Sequence, residues 1–267
     1  MTTIAKLMNL KGRRALITGG AGHIGRAMAE TLAELGADLI LVDRPDIGYG
    51  TLVETLEQEW QVKVQTIECD LALQEERSQL IQSVVQQEGG LDILINNAAY
   101  SAPPGIQGWV TDFEHQSVEV WRQALEVNLT AAFDLCRGLS TKLTQSKRGN
   151  IVNLSSIYGA YGPDYGLYEG TAMGNPAAYG VAKGGLIQLT RWLSTTLAPH
   201  VRANTLSPGG VFRNQPEVFV KRYEARTPLA RMATEDDFRG AVAYLASDMS
   251  LYVTGQNLAV DGGWGVW

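Results

Sequence analysis

Only two cysteines occur among the 267 residues, Cys69 and Cys136. They stand far apart, form no C-x-x-C pair and sit in apolar-periodic contexts, so two buried free thiols are expected rather than a disulfide framework or a zinc site. Long hydrophobic runs are missing as well. No stretch approaches the ~18 apolar residues that span a bilayer, and residues 1–10 hold too short an apolar segment, with no small-residue cleavage site, for a signal peptide. A soluble cytoplasmic protein with no membrane partner is the expectation. Positive charge is scarce: 22 Lys+Arg against 28 Asp+Glu give a net charge of −6, and no Lys/Arg block is present. Nucleic-acid binding needs clustered cations to displace counterions, so a nucleic-acid partner is excluded. There is no internal repeat, linker or low-complexity stretch. A single domain over 1–267 is therefore expected, within the range in which α/β folds remain one unit.

Glycine is plentiful: 29 residues, or about 11% against the ~7% average. The glycines cluster at Gly19-Gly20-Ala21-Gly22 with Gly25, Gly184-Gly185, Gly209-Gly210 and Gly262-Gly263, which points to close backbone approach. Short β-branched runs alternate with amphipathic stretches, the pattern of parallel strands joined by crossover helices. Strands are expected at 14–18, 38–42, 63–68, 93–96 and 151–154, near 202–206, and at 256–260. Each is a short apolar run, as for strands covered on both faces. Helices are expected at 24–35, 50–60, 74–87, 118–139, 179–197 and 234–246. The stretches 100–117 and 159–176 break the pattern, and loops of ~15 residues in a compact domain usually carry function.

The run Thr18-Gly19-Gly20-Ala21-Gly22-His23-Ile24-Gly25 follows the first strand and opens the first long helix. Glycines there let a backbone approach a pyrophosphate, and the helix N-terminus supplies unpaired N–H groups and a positive dipole end. Asp43 ends the second strand, where a carboxylate accepts bonds from both ribose hydroxyls and repels a 2′-phosphate. NAD is therefore favoured over NADP, although Arg44 beside it can offset that repulsion. Asp70 and Leu71 follow the third strand, placed for the adenine edge, while Asp70 alone reads equally as a helix cap. Tyr179 is the one tyrosine with a Lys or Arg four residues later, Lys183, on the same helix face. An adjacent ammonium stabilises a phenolate, which makes Tyr179 a candidate acid/base.

Taken together, the glycine turn, Asp43, Asn96-Asn97-Ala98-Ala99, Asn128, Ser155-Ser156, Tyr179-x-x-x-Lys183, Pro208-Gly209 and the ending Val260-Asp261-Gly262-Gly263 closely resemble the short-chain dehydrogenase/reductase family. The resemblance covers essentially residues 10–264. It implies a single-domain α/β Rossmann fold, a doubly wound parallel sheet of about seven strands, moving a hydride between nicotinamide and an alcohol/carbonyl pair. By resemblance, the catalytic set is Asn128, Ser156, Tyr179 and Lys183. Tyr179 would exchange the proton with the substrate oxygen, and Ser156 would hydrogen-bond that oxygen. Lys183 would bind the nicotinamide ribose and depress the tyrosine pKa, and Asn128 would hold a water linking Lys183 to solvent. The cofactor set is Gly19, Gly22, His23, Ile24, Gly25, Asp43, Asp70, Leu71, Asn97, Ala98, Tyr179, Lys183, Pro208, Gly209 and Val211. No metal is implied, and a homotetramer is the assembly the family implies.

Several positions depart from the family pattern. His23 stands at the sixth position of the glycine turn with Gly22 one place earlier, Asn-Asn-Ala-Ala replaces Asn-Asn-Ala-Gly, and Arg213 stands where a threonine is common. Ser156 and Tyr179 are 23 positions apart, about ten more than usual, so residues 159–175 form an insertion that surface extrusion accommodates at modest entropic cost. It offers Tyr158, Asp164, Tyr165, Tyr168 and Glu169 as candidate substrate contacts, or else makes a subunit contact. A similar insertion recurs in members resembling enzymes of bacterial sugar and nonulosonic-acid modification, which favours a small polyhydroxylated substrate. The loops expected to face substrate are 100–117, 159–176 and 211–233. Two alternatives stay open: a 3-oxoacyl thioester reductase acting on an acyl carrier, and a cofactor-binding regulator without turnover, which would not need all four catalytic residues.

Overall fold

The computed structural model describes residues 1–103 and 105–267. After a short helix α1 (Ile4–Met8), the chain alternates β1 (Arg14–Thr18), α2 (His23–Glu34), β2 (Asp38–Asp43), α3 (Leu52–Trp60), β3 (Val64–Glu68), α4 (Gln74–Gln86) and β4 (Ile93–Asn96). The second half continues with α5 (Val118–Leu125), a π-helical turn (Glu126–Thr130), α6 (Ala131–Gln145), β5 (Gly149–Leu154), α7 (Ile157–Ala160), α8 (Ala177–Thr196) and β6 (Val201–Pro208). It closes with α9 (Glu217–Arg226), α10 (Arg239–Ala246) and β7 (Asn257–Val260).

Seven parallel strands form one sheet in the order β3-β2-β1-β4-β5-β6-β7. The chain reverses direction across the sheet between β1 and β4, and such a switch point opens a crevice at the C-terminal strand ends. Helices cover both faces, which is why β1, β2 and β4 read as apolar runs, while β5 is buried throughout with Asn150 and Asn153 hydrogen-bonded inside. One face packs α2 and α10 around Leu32, Phe238 and Val242, and the other packs α4, α6 and α8 around Leu80, Leu135 and Leu193. Edge strand β3 is mostly exposed, matching its polar Gln65, Thr66 and Glu68. Both cysteines are buried and free, and burial pushes each thiol up to about 12.

Several elements differ from expectation: the short helices α1 and α7 have no expected counterpart, and others depart in form. The helix expected over 118–139 is broken by the π-helical turn that carries Asn128 and then runs on to Gln145. Helix α9 falls inside the loop expected at 211–233: it buries only Phe219 and Tyr223, so its amphipathic stripe is too sparse to stand out. The helix expected from Thr234 opens as a 3-10 turn, Glu235–Phe238, capped reciprocally by Thr234 and Asp237. Among the described residues, no helix is long and apolar enough to cross a membrane.

Candidate active site

The glycine turn is held from below by groups of β1 and β4. Gly19 has φ +67, and a Cβ there would lie 2.9 Å from Asn97 Nδ2 and 3.0 Å from the Ala98 Cα. A Cβ on Gly25 would overlap the Gly19 carbonyl oxygen. Asn97 Nδ2 donates to the carbonyls of Thr18 (2.9 Å) and Gly19 (3.1 Å), while the Thr18 hydroxyl accepts from the amides of Asn97 and Ala98. Gly22 caps α2 without a side chain, leaving the first-turn amides of His23, Ile24 and Gly25 without a side-chain acceptor. That is an anion cradle by construction.

The cradle opens into a cleft of about 730 Å³. Gly19, Gly22, His23, Ile24 and Gly25 line one end, Asp43, Arg44, Asp70 and Leu71 the other, with Asn97 and Ala98 between them and Arg213 also in its wall. Asp43 Oδ2 accepts from the Ala21 amide and Oδ1 from the Arg44 amide, each at 3.0 Å, so the strand-end carboxylate is tied to the turn it faces. Arg44 is turned toward Asp46 at 3.1 Å, with both side chains largely in solvent. Asp70 Oδ1 accepts from the Ala72 amide at 2.9 Å, closing a local turn ahead of α4; the helix-cap reading is not met, since the N-cap of α4 is Leu73. The cradle, the cleft and the acidic end together fit a dinucleotide.

A second pocket, of about 290 Å³, joins this cleft through the shared walls Ile24, Asn97 and Ala99. Ser156, Tyr158, Tyr179, Lys183, Pro208, Gly209 and Val211 line it. Ser156 follows β5 and caps α7, accepting from the Tyr158 amide at 3.2 Å, so its own proton is free to donate. Tyr179 and Lys183 lie one turn apart on α8, with Lys183 Nζ 5.9 Å from the Tyr179 ring centre. Burial raises the Tyr179 phenol above its ordinary range, against a lowering by its hydrogen bond with Ser156. The lowering comes from Ser156 rather than from Lys183, and desolvation exceeds it. Burial also lowers the Lys183 ammonium to about 8, while its Nζ donates to the Leu154 carbonyl at 2.6 Å. The Ser155 hydroxyl fixes that turn of α8 by donating to the Lys183 carbonyl at 2.7 Å. Asn128 is buried in the π-helical turn; Oδ1 accepts from the Tyr100 amide at 2.6 Å, and Nδ2 is buried without a protein partner among the described residues.

The insertion is not a free surface loop. Leu167 and Tyr168 are buried with Ile157, Phe219, Tyr223, Met232 and Trp264 in a core of their own. The Tyr168 phenol bonds that of Tyr158, and its ring lies 5.4 Å from that of Phe219 on α9. Asp164 pairs with Arg226 at 3.0 Å, and that guanidinium stacks 4.5 Å over Trp264. Of the five candidate contacts, Tyr158 alone lines the pocket. Tyr168 stands behind it, Asp164 is committed to Arg226, and Tyr165 is exposed; the Glu169 carbonyl accepts from Arg222. Sequence reasoning missed Thr18 and Glu235, whose partners come from distant segments and leave no local signal.

A family model described as enoyl-(acyl carrier protein) reductase matches residues 19–265. An NADP-dependent mannitol dehydrogenase of Alternaria alternata is 30% identical, over 98% of this chain and 96% of its own length. A 3-oxoacyl-[acyl-carrier-protein] reductase of Aquifex aeolicus is 29% identical, over 96% and 98%. The crystal structure of an NAD+-bound xylitol dehydrogenase superposes with a TM-score of 0.83 at 29% identity, over 95% of this chain and 99% of that one. With the fold and the glycine turn described above, these matches place the chain in the short-chain dehydrogenase/reductase family, an oxidoreductase of that type.

Proposed function

We propose that the protein transfers a hydride between NAD(H) and a secondary alcohol/ketone of a small polyhydroxylated substrate, a sugar, polyol or sugar derivative. The observation that carries this reading is the junction of the two pockets: the one lined by Ser156, Tyr179 and Lys183 shares Ile24, Asn97 and Ala99 with the dinucleotide-sized cleft. The α2 amides and Gly19, Gly22 and Gly25 would hold the diphosphate, Asp43 the adenosine ribose, and Asp70 and Leu71 the adenine. Asn97, Ala98, Lys183, Pro208, Gly209 and Val211 would border the nicotinamide half. The nicotinamide supplies or accepts the hydride.

In reduction, Tyr179 gives its proton to the substrate oxygen, and Ser156 donates a second hydrogen bond to the charge developing there. The raised phenol holds that proton at neutral pH and so suits it to the acid role. Oxidation needs the phenolate, which the Lys183 ammonium stabilises. Asn128 Nδ2, buried without a protein partner among the described residues, suits a water-bridging role between Lys183 and solvent.

NAD is preferred in this reading because Asp43 is fixed at the ribose end while Arg44 points to Asp46. A polyhydroxylated substrate is supported by Tyr158, whose phenol adds a hydrogen-bonding group beside Tyr179, and by similarity to the mannitol and xylitol dehydrogenases. The acyl-carrier reading has its own support in the 3-oxoacyl reductase similarity. It needs cations at the mouth: Lys221 and Arg226 are each paired with an acid of this chain, whereas Arg222 donates to the Glu169 carbonyl and keeps its charge uncompensated among the described residues, so charge alone does not decide against it. A homotetramer is supported by exposed Val118, Phe133, Val181 and Trp192 on α5, α6 and α8, and by exposed Leu251 and Tyr252 near β7.

A screen of polyols, ketoses and 3-oxoacyl thioesters, followed by NADH absorbance, tests the reading. Turnover confined to polyhydroxylated compounds supports it. Turnover confined to the thioesters replaces it with the alternative.

A further inference from the structure

The dinucleotide cleft has one wall that the resemblance does not assign. Arg213 follows β6 at a position where the family commonly has a threonine, and it lines the cleft together with Gly19, Gly22 and His23. It is not a loose surface cation. The Arg213 amide donates to Gln215 Oε1 at 2.6 Å, and Gln215 Nε2 donates back to the Val211 carbonyl at 2.8 Å, which locks the turn. A parallel bridge pairs Val211 with Ala233, and the Phe212 amide donates to the Ala233 carbonyl at 2.9 Å. That register sets residue 213 beside residue 235. Arg213 Nη1 then meets Glu235 Oε1 at 2.5 Å, and the same oxygen lies 3.7 Å from His23 Nδ1 on the glycine turn. One carboxylate thus links Arg213 to the glycine turn.

We propose that Arg213 is a cofactor-diphosphate ligand held in reserve by Glu235: the diphosphate takes the guanidinium from the carboxylate and so pins the segment leading into α9 over the cleft. The proposal rests on the nucleotide reading of the cleft. The chemistry favours it, because a planar guanidinium matches phosphate oxygens bidentately, and a diphosphate carries more charge than the single carboxylate it displaces. The half-exposed pair is weak enough to exchange.

Calorimetric titration with NADH and with ADP-ribose, which keeps the diphosphate but lacks nicotinamide, tests this on the full-length protein. Arg213→Gln should weaken both ligands about tenfold, the scale of one charge-assisted hydrogen bond. Glu235→Gln should tighten both by about threefold, the scale of a part-exposed ion pair. In the double variant the Glu235→Gln gain should vanish, because the two effects run through one contact. The opposite signs separate the proposal from misfolding, which lowers affinity in every variant. Weakening of NADH alone would move Arg213 to the nicotinamide end and overturn the proposal. So would a Glu235→Gln gain that persists without Arg213, since that is a general charge effect, or unchanged affinity in Arg213→Gln. A wild-type protein that binds neither ligand brings down the nucleotide reading and the latch with it.

Discussion

Lys183 is a cation 3% exposed, and its burial is visible in stability before any substrate is known. Burial lowers the ammonium from 10.5 to about 8. Between those values the unfolded chain still carries the proton that the folded chain has released. Stability then rises with pH, at ~1.4 kcal/mol per unit for one proton. The lysine's contribution is most favourable above its unfolded pKa and is lost as pH falls through about 8. Lys183→Met keeps much of the side-chain volume and has no proton to release. From pH 8 to pH 9.5, wild type should therefore gain on Lys183→Met by about 2 kcal/mol. The raised tyrosines, Tyr49 and Tyr158 among them, act in the opposite sense, but both proteins share them and they cancel in the difference. Urea unfolding of the two proteins at matched concentration across that range measures it. Parallel pH profiles would show that Lys183 is not desolvated and would remove the physical reason for assigning it a tuned charge.

Three further outcomes follow from the geometry. Gly25→Ala should cost about 1–3 kcal/mol as its methyl overlaps the Gly19 carbonyl, and should abolish NADH binding; unchanged affinity by fluorescence titration would show that the turn does not hold the cofactor. Asp43→Ala should cut the preference for NAD over NADP at least about tenfold, read as the ratio of kcat/KM values, and an unchanged ratio would shift discrimination to Arg44. Tyr158→Phe should lower kcat/KM about tenfold or more for a substrate whose neighbouring hydroxyl it binds, leaving the matched deoxy compound unaffected. Equal losses on both would reduce Tyr158 to packing. This point change is a cleaner test than shortening the insertion, because excision would strip Leu167 and Tyr168 from the core they share with Phe219 and Trp264.

The fold was legible because its signals are local. β1 and β4 occupy the expected residues, as each buried strand is an apolar run bounded by turn chemistry. The glycine turn was legible because two positions tolerate no Cβ. Long-range pairings were not. Nothing near Thr18 announces that its hydroxyl receives two amides from the end of β4, and nothing near Glu235 announces Arg213. The insertion shows the same limit. Its tyrosines read as candidate substrate contacts or a subunit contact, whereas the partners that bury Tyr168 lie on α9 and at the C-terminus, far along the chain. The sequence shows the lysine beside Tyr179 but neither the burial that raises the phenol nor the Ser156 bond that lowers it.

The central claim is that Tyr179 moves the proton that accompanies hydride transfer in a cleft built for NAD(H). A single-turnover measurement of NADH oxidation in Tyr179→Phe, saturated with NADH and with the substrate found in the screen, tests it most directly. The account predicts a loss of about a thousandfold or more in the transfer step, the upper range for general acid catalysis, with NADH affinity within about twofold of wild type because the ring still packs on α8. Retention of more than a few per cent of the wild-type rate would contradict it and pass the acid role to Tyr158, the other phenol in the pocket.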